Sequence, residues 1–272
     1  MNSSSRDATF AGSVPHLYEK YLVPLIFEPY AVDIAGRVAA RRPGRVLELA
    51  AGTGVVTRRL VDVLPSTTRI VATDLNQPML DEAVAVGTAR AVEWQRADAM
   101  QLPFADGTFD AIVCQFGVMF FPGKAAAFAE ARRVLAPGGA FLFNVWDGLD
   151  QNEFADTVTR SLEPMFPADP PRFMARTPHG YHDQATIRQD LVAGGFDRPP
   201  EFTTVAARSR AASAQIAAVA YCQGTLFRGE IEARDAARLS EATDAAAAAL
   251  AARFGPDPID GKIQAQVIVV ER

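Results

Sequence analysis

The sequence predicts an α/β protein built around a doubly wound, mainly parallel sheet. Three features lead there. Short apolar runs of strand length alternate with amphipathic runs of helix length through residues 45–145, the pattern of successive βαβ units. The first apolar run enters its helix through a glycine turn, V-L-E-L-A-A-G-T-G over 46–54, and glycine accepts the dihedrals of a tight strand-to-helix corner. Finally, Ala136-Pro137-Gly138-Gly139 stops a helix and turns the chain into a further strand, because proline cannot continue a helix.

In chain order, strands are expected over 45–50, 69–73, 91–95, 109–114 and 140–145, all short and largely buried. Helical spacing occupies 55–64, 78–86 and 125–135 between them. On the first helix Val56, Leu60, Val63 and Leu64 share the side that should meet the sheet, which leaves Arg58, Arg59 and Asp62 to water. The second half is less regular. A short helix around 153–166 precedes an irregular loop with Pro167, Pro170 and Pro171, and a helix over 184–193 ends at Gly194-Gly195. A strand over 201–206, helices over 209–223 and 231–254, and a last strand over 263–270 complete the expectation. The alanines at 245–249 favour helix and permit a neighbour to approach closely.

With 272 residues, 49% of them hydrophobic, the chain can bury a large core. Its 27 basic and 32 acidic residues leave a net charge of −5, which argues against a phosphate-binding face, so neither nucleic acid nor an anionic membrane is expected as partner. Cys114 and Cys222 are too few for a disulfide framework or a cysteine zinc site. His16, His179 and His182 share no ligand pattern with the acids, and no metal is expected. The polar opening and the absence of an 18-residue apolar run make a cytoplasmic enzyme the default.

An acid within an apolar strand needs a partner, and Glu48 is such an acid. A ligand with amino or hydroxyl groups is one answer, with Gly52 and Gly54 letting backbone approach it. Asp74 ends the second strand and Asp98 follows the third. In an open α/β sheet these three acids converge on one crevice beyond the carboxyl ends of the strands. Taken singly, Asp74 also suits a helix cap and Asp98 a surface turn. The segments V-L-E-L-A-A-G-T-G, A-T-D-L-N-Q-P-M-L and R-A-D-A-M-Q-L-P-F together resemble the class I S-adenosylmethionine-dependent methyltransferases, and in particular the methyltransferase 11 group of ubiquinone/menaquinone-biosynthesis type.

That resemblance implies a Rossmann-like seven-stranded sheet of order 3-2-1-4-5-7-6 with strand 7 antiparallel. It implies that Glu48, Ala50, Gly52, Thr53 and Gly54 surround the amino-acid portion of S-adenosylmethionine or its product S-adenosylhomocysteine. Asp74 would accept from the ribose hydroxyls, Leu75 and Met79 would pack on adenine, and Asp98, Ala99 and Met100 would address the adenine edge. Gln115 and Phe116 would stand between donor and acceptor. Residues 1–40 would be an N-terminal helical lid and 41–272 the methyltransferase domain, with insertions at about 147–182 and 208–256 covering a small, partly apolar acceptor. Since methyl transfer needs alignment more than a base, acid–base candidates are few: His182 and Tyr181, and Tyr18 and Tyr21 in the lid. Asp106 and Asp110 are assigned to turn and strand-edge structure. A dinucleotide-dependent Rossmann oxidoreductase is the nearest rival, although Thr57 stands where its fingerprint has a small residue. A catalytically silent S-adenosylmethionine-binding module is another. Monomer and homodimer both fit.

Overall fold

The computed structural model describes residues 12–255 and 257–272; the polar start of the expected lid, 1–11, lies outside the described residues. The sheet has seven strands in the order β3-β2-β1-β4-β5-β7-β6, with β7 antiparallel. These are β1 (Arg45–Glu48), β2 (Arg69–Asp74), β3 (Glu93–Arg96), β4 (Phe109–Gln115), β5 (Leu135–Trp146), β6 (Glu201–Ala211) and β7 (Ile259–Glu271). The helices used below are α1 (Glu28–Ala40), α2 (Val55–Val63), α3 (Gln77–Val86), α4 (Lys124–Val134), α5 (Glu153–Leu162), α6 (Gln184–Ala193), α7 (Ala214–Gln223), α8 (Phe227–Asp235) and α9 (Leu239–Phe254). Among the described residues no helix is long and apolar enough to cross a membrane.

β1 pairs in parallel with β2 and β4, Leu47 standing opposite Val71 and Ile112, so strand order reverses at β1. Its interior residues Val46 and Leu47 are buried on both faces, as a central parallel strand requires. β3 departs from the expected burial: it is a half-exposed edge strand, paired only through Val71–Asp74 of β2. β5 also departs, because pairing begins at Leu135 opposite Phe109 and resumes at Ala140 opposite Ala111. The Pro137-Gly138-Gly139 sequence is therefore a bulge within a strand, and not a free turn before one.

The chain divides into two compact units. One comprises residues up to Glu28, Trp146–Gly180 and Ala206–Gln264. Here α7 packs on α9, and Ala217, Ala218, Ala242 and Ala246 on these helices are buried, small residues of the kind that allow a close approach. The expected helix over 231–254 is broken: α8 ends at Asp235, whose side chain accepts from the Ala237 N–H at 3.0 Å. The expected helix over 209–223 begins only at Ala214, because β6 runs on through Ala211. Preceding these, residues Tyr18–Phe27 form a π-helix with Pro24 inside it. The other unit comprises Pro29–Val145, Tyr181–Val205 and Ala265–Arg272. Its core includes Phe128, Phe141, Phe143 and Phe196, with the Phe141 and Phe143 rings 4.8 Å apart.

Candidate functional site

The second unit carries the acids that end the first strands. Glu48 is 2% exposed at the end of β1, and its partner is within the chain: the Thr57 hydroxyl on α2 donates to Glu48 Oε2 at 2.5 Å. Burial pushes the Glu48 carboxyl up to about 8, against the Thr57 hydrogen bond and the positive charge of Arg58, while the Asp74 charge adds to the rise. Residues 49–54 then bond to both neighbouring strands, with Leu49 N–H on the Val113 carbonyl and Ala51 N–H on that of Thr73. Ala50, Gly52 and Gly54 all have positive φ, of 51°, 57° and 85°. For Gly54 there is a second constraint, since a Cβ there would lie 2.8 Å from the tip of the Trp94 ring.

Asp74, 7% exposed, ends β2 with both oxygens engaged: Oδ2 accepts from Gly52 N–H at 2.9 Å and Oδ1 from Asn76 N–H at 2.8 Å. Burial raises its pKa, and those hydrogen bonds oppose the rise. The acid expected to bind ribose is thus tied to the glycine turn. Leu75 beside it is 44% exposed, an apolar surface of the kind an aromatic base covers, whereas Met79 is a core residue at 3%. Asp98 Oδ1 accepts from Met100 N–H at 2.8 Å in a short turn that includes Ala99, and a Cβ on Gly123 would approach Met100 Sδ to 3.2 Å. Gln115 ends β4 and buried Phe116 follows it, with φ 51° and its ring edge-on to Tyr30 at 5.3 Å. The structure brings Glu48, Gly52, Asp74 and Leu75 together at adjoining strand ends.

An orphaned group tests the fit to S-adenosylmethionine. The Thr53 hydroxyl, in the turn and 1% exposed, has no hydrogen-bond partner among the described residues. A buried unpaired hydroxyl costs free energy unless a ligand satisfies it. With carboxylates that accept from hydroxyl and amino groups, and an exposed leucine, the donor set suits the polar ends and flat base of this cofactor. Among the described residues no group of three or more His, Cys, Asp and Glu is placed to hold a metal ion.

The acid–base candidates are scattered. Tyr181 is buried, and its hydroxyl donates to Asp190 Oδ2 at 2.7 Å while Lys124 lies 4.6 Å from its ring. Burial and that bond push the phenol far above its ordinary value, which suits an anchor and not a base. His182 is exposed beside Asp183, whose side chain caps α6. In the other unit Tyr18 stacks on Phe27 at 5.0 Å and Lys20 lies over the Tyr21 ring at 4.9 Å.

Arg58, expected in water, turns back to donate to the Thr53 carbonyl at 2.7 Å. Asp110 is a strand-edge residue as expected, its Oδ2 accepting from Gly44 and Arg45 N–H at 2.8 Å each, and Asp106 pairs with Arg133. Three residues escaped the sequence reading. Thr57 counted only as an obstacle to a dinucleotide fingerprint, although a hydroxyl in the first turn of a helix that faces a strand acid was a usable signal. Buried His179, with Nδ1 2.9 Å from the Asp147 carbonyl, was passed over for His182. Asn144, fully buried, interrupts an apolar strand as Glu48 does.

Comparison with known proteins bears on this geometry. A family model described as a methyltransferase domain matches residues 46–139. The ubiquinone/menaquinone biosynthesis C-methyltransferase UbiE of Stutzerimonas stutzeri (strain A1501) is 31% identical over 186 residues, 64% of this chain and 72% of that protein. Of solved structures, the YcgJ protein from Bacillus subtilis aligns with a TM-score of 0.57 and 18% identity, covering 90% of this chain and 98% of that one. The Haemonchus contortus phosphoethanolamine N-methyltransferase 2, solved with phosphomonomethylethanolamine and S-adenosylhomocysteine, also gives 0.57, at 15% identity over 95% of this chain and 57% of that one. At such identities the structures speak for the fold alone, and the sequence relatives carry the rest. With the glycine turn and strand-end acids inside the matched span, the chain belongs to the class I S-adenosylmethionine-dependent methyltransferases, as an enzyme related to the ubiquinone/menaquinone-biosynthesis type.

Proposed function

We propose that this enzyme methylates a small, partly apolar metabolite, with the donor held by Glu48, Ala50, Gly52, Thr53, Gly54, Asp74, Leu75, Asp98 and Ala99. The observation that carries the donor site is the unpartnered Thr53 hydroxyl within a turn tied to Asp74 through Gly52 N–H. When bound, S-adenosylmethionine supplies a methyl group on a sulfonium centre, activated for in-line displacement. The protein's part is to hold the donor rigidly and exclude water, for which strained left-handed residues at two strand ends are suited. Carbon as the methyl acceptor is supported by the name of the UbiE relative.

Acceptor recognition we assign to the expected cover, the N-terminal segment 1–40 and the insertions at about 147–182 and 208–256, a reading supported by these residues lying outside the matched span 46–139. His182 is retained as the candidate base and Tyr181 as an anchor for its loop. We retain the reading of a cytoplasmic enzyme, monomeric or homodimeric, and the acidic composition supports the absence of nucleic acid or anionic membrane as partner. The test is incubation of the full chain with methyl-labelled donor and a metabolite panel that includes phenols and quinols. Label on a small apolar acceptor is the expected result; label only on protein or nucleic acid would overturn the reading. A folded His182→Ala variant with full turnover would remove the base.

A further inference from the structure

Phe116, the residue that follows β4, and Asn144 within β5 form a device that the donor site does not itself explain. Phe116 is in the left-handed region with φ 51°, a conformation that a bulky residue adopts only when its surroundings impose it. Its N–H is shared between two acceptors on one residue, the Asn144 side-chain oxygen at 2.9 Å and the Asn144 carbonyl at 3.2 Å. Because a backbone N–H only donates, the Asn144 amide must present its oxygen to Phe116, which turns Nδ2 towards Gln115 Oε1, 3.5 Å away. Asn144 is wholly buried in the apolar run F-L-F-N-V-W, so its amide has no solvent to fall back on. The next residue along, Gly117, closes the arrangement: a Cβ there would lie 2.5 Å from Ala50 Cβ and 2.6 Å from Cys114 Sγ. Ala50 is the left-handed residue of the proposed donor turn that is not a glycine. Two strained residues, one at the end of β1 and one at the end of β4, are thus held in register by a glycine contact on one side and an asparagine on the other.

We infer that Asn144 is a positioning residue for the donor: by holding Phe116 left-handed it keeps Gly117 against Ala50 and fixes the turn that receives S-adenosylmethionine. The inference rests on the donor site proposed above. Its test is calorimetric titration of the full chain with S-adenosylhomocysteine. Asn144→Leu, which removes the nearer, side-chain acceptor and leaves only the backbone carbonyl, should weaken binding by about tenfold or more, while Asn144→Asp, which keeps an accepting oxygen, should stay within about threefold of wild type. A folded Asn144→Leu protein with unchanged affinity, or an Asp variant as weak as the Leu variant, overturns the inference. Should Asn144→Leu not fold, Phe116→Gly and Phe116→Ala decide: both lack the ring, but only glycine takes a left-handed conformation without strain. The glycine variant should then bind more tightly, and equal affinities refute the requirement. Asp74→Ala is the control. Wild-type protein that fails to bind the ligand sinks the donor site itself, whereas a loss confined to Asp74→Ala, with the Asn144 variants unaffected, sinks only the role given to Asn144.

Discussion

Glu48 places an ionisable group where water cannot reach it, and its protonation then couples to stability. Its folded value of about 8 stands above the ordinary 4.5, so between these limits the folded chain holds a proton that the unfolded chain has released. Its contribution to stability is complete below pH 4.5 and is lost progressively as pH rises through about 8. Asp74, also raised by burial, adds a loss of the same sign. Glu48→Gln should flatten the pH dependence of the unbound protein's unfolding free energy, with the gap over wild type opening above pH 4.5 and reaching a few kcal/mol by about pH 8. Parallel melting curves for the two proteins across that range would refute it. The same variant should bind S-adenosylhomocysteine more weakly, because the amide replaces one accepting oxygen by a donor. At Asp74 the expected effect of Asp74→Ala is a loss of about 1.5 to 3 kcal/mol in binding the same ligand, since the Gly52 N–H loses its acceptor together with the ribose hydroxyls. Unchanged affinity by calorimetry would show that the ribose lies elsewhere.

At the scale of elements, local chemistry shows where helices begin more reliably than periodicity does. Ser213 accepts from the Ile216 N–H at 3.1 Å and so caps α7, while Asp257 accepts from Ala214 N–H at 2.8 Å. Ser213→Ala should cost about 1 kcal/mol and lower the melting temperature by about 2 to 4 °C, with no change in ligand affinity. A neutral melt would deny the cap its role. The same residues explain the sequence reading's errors. Alanines in V-A-A-R-S-R-A-A favour helix, yet β6 continues through Ala211, and Ser213 was the signal for the true start. Likewise Asp235 caps a new turn and divides a helix that the apolar row from Ile231 to Phe254 had joined. Through residues 45–134 the elements were legible to within about three residues, because Gly54, the Asn76-Gln77-Pro78 corner and Gly123 bound the helices, where β propensity and helical spacing agree.

For the whole molecule, sheet order was legible through family resemblance and not through spacing, since nothing in a strand's own residues states its neighbour. The strand-end acids were legible as candidates because a carboxylate in an apolar strand is conspicuous. Asn144 and Thr57 were not, because their importance lies in contacts with Phe116 and Glu48 that are 28 and 9 residues away in the chain. The partner of Tyr181 was hidden for a similar reason: Asp190, which accepts from its hydroxyl, sits two turns along α6.

The chain has two tryptophans, and one of them, Trp94, presses its ring tip into the space a side chain at Gly54 would need. An indole in that place is an optical probe supplied by the protein, sensitive to any repacking of the donor turn. The other, Trp146, packs against Phe27 and His179 and contributes a separate signal. In a Trp146→Phe protein the remaining emission should therefore shift or quench on titration with S-adenosylhomocysteine, at concentrations that match the calorimetric affinity. A flat trace at saturating ligand would mean that the turn does not repack around its cargo. A responsive one would give a label-free assay for screening donor analogues and, in competition, for ranking them.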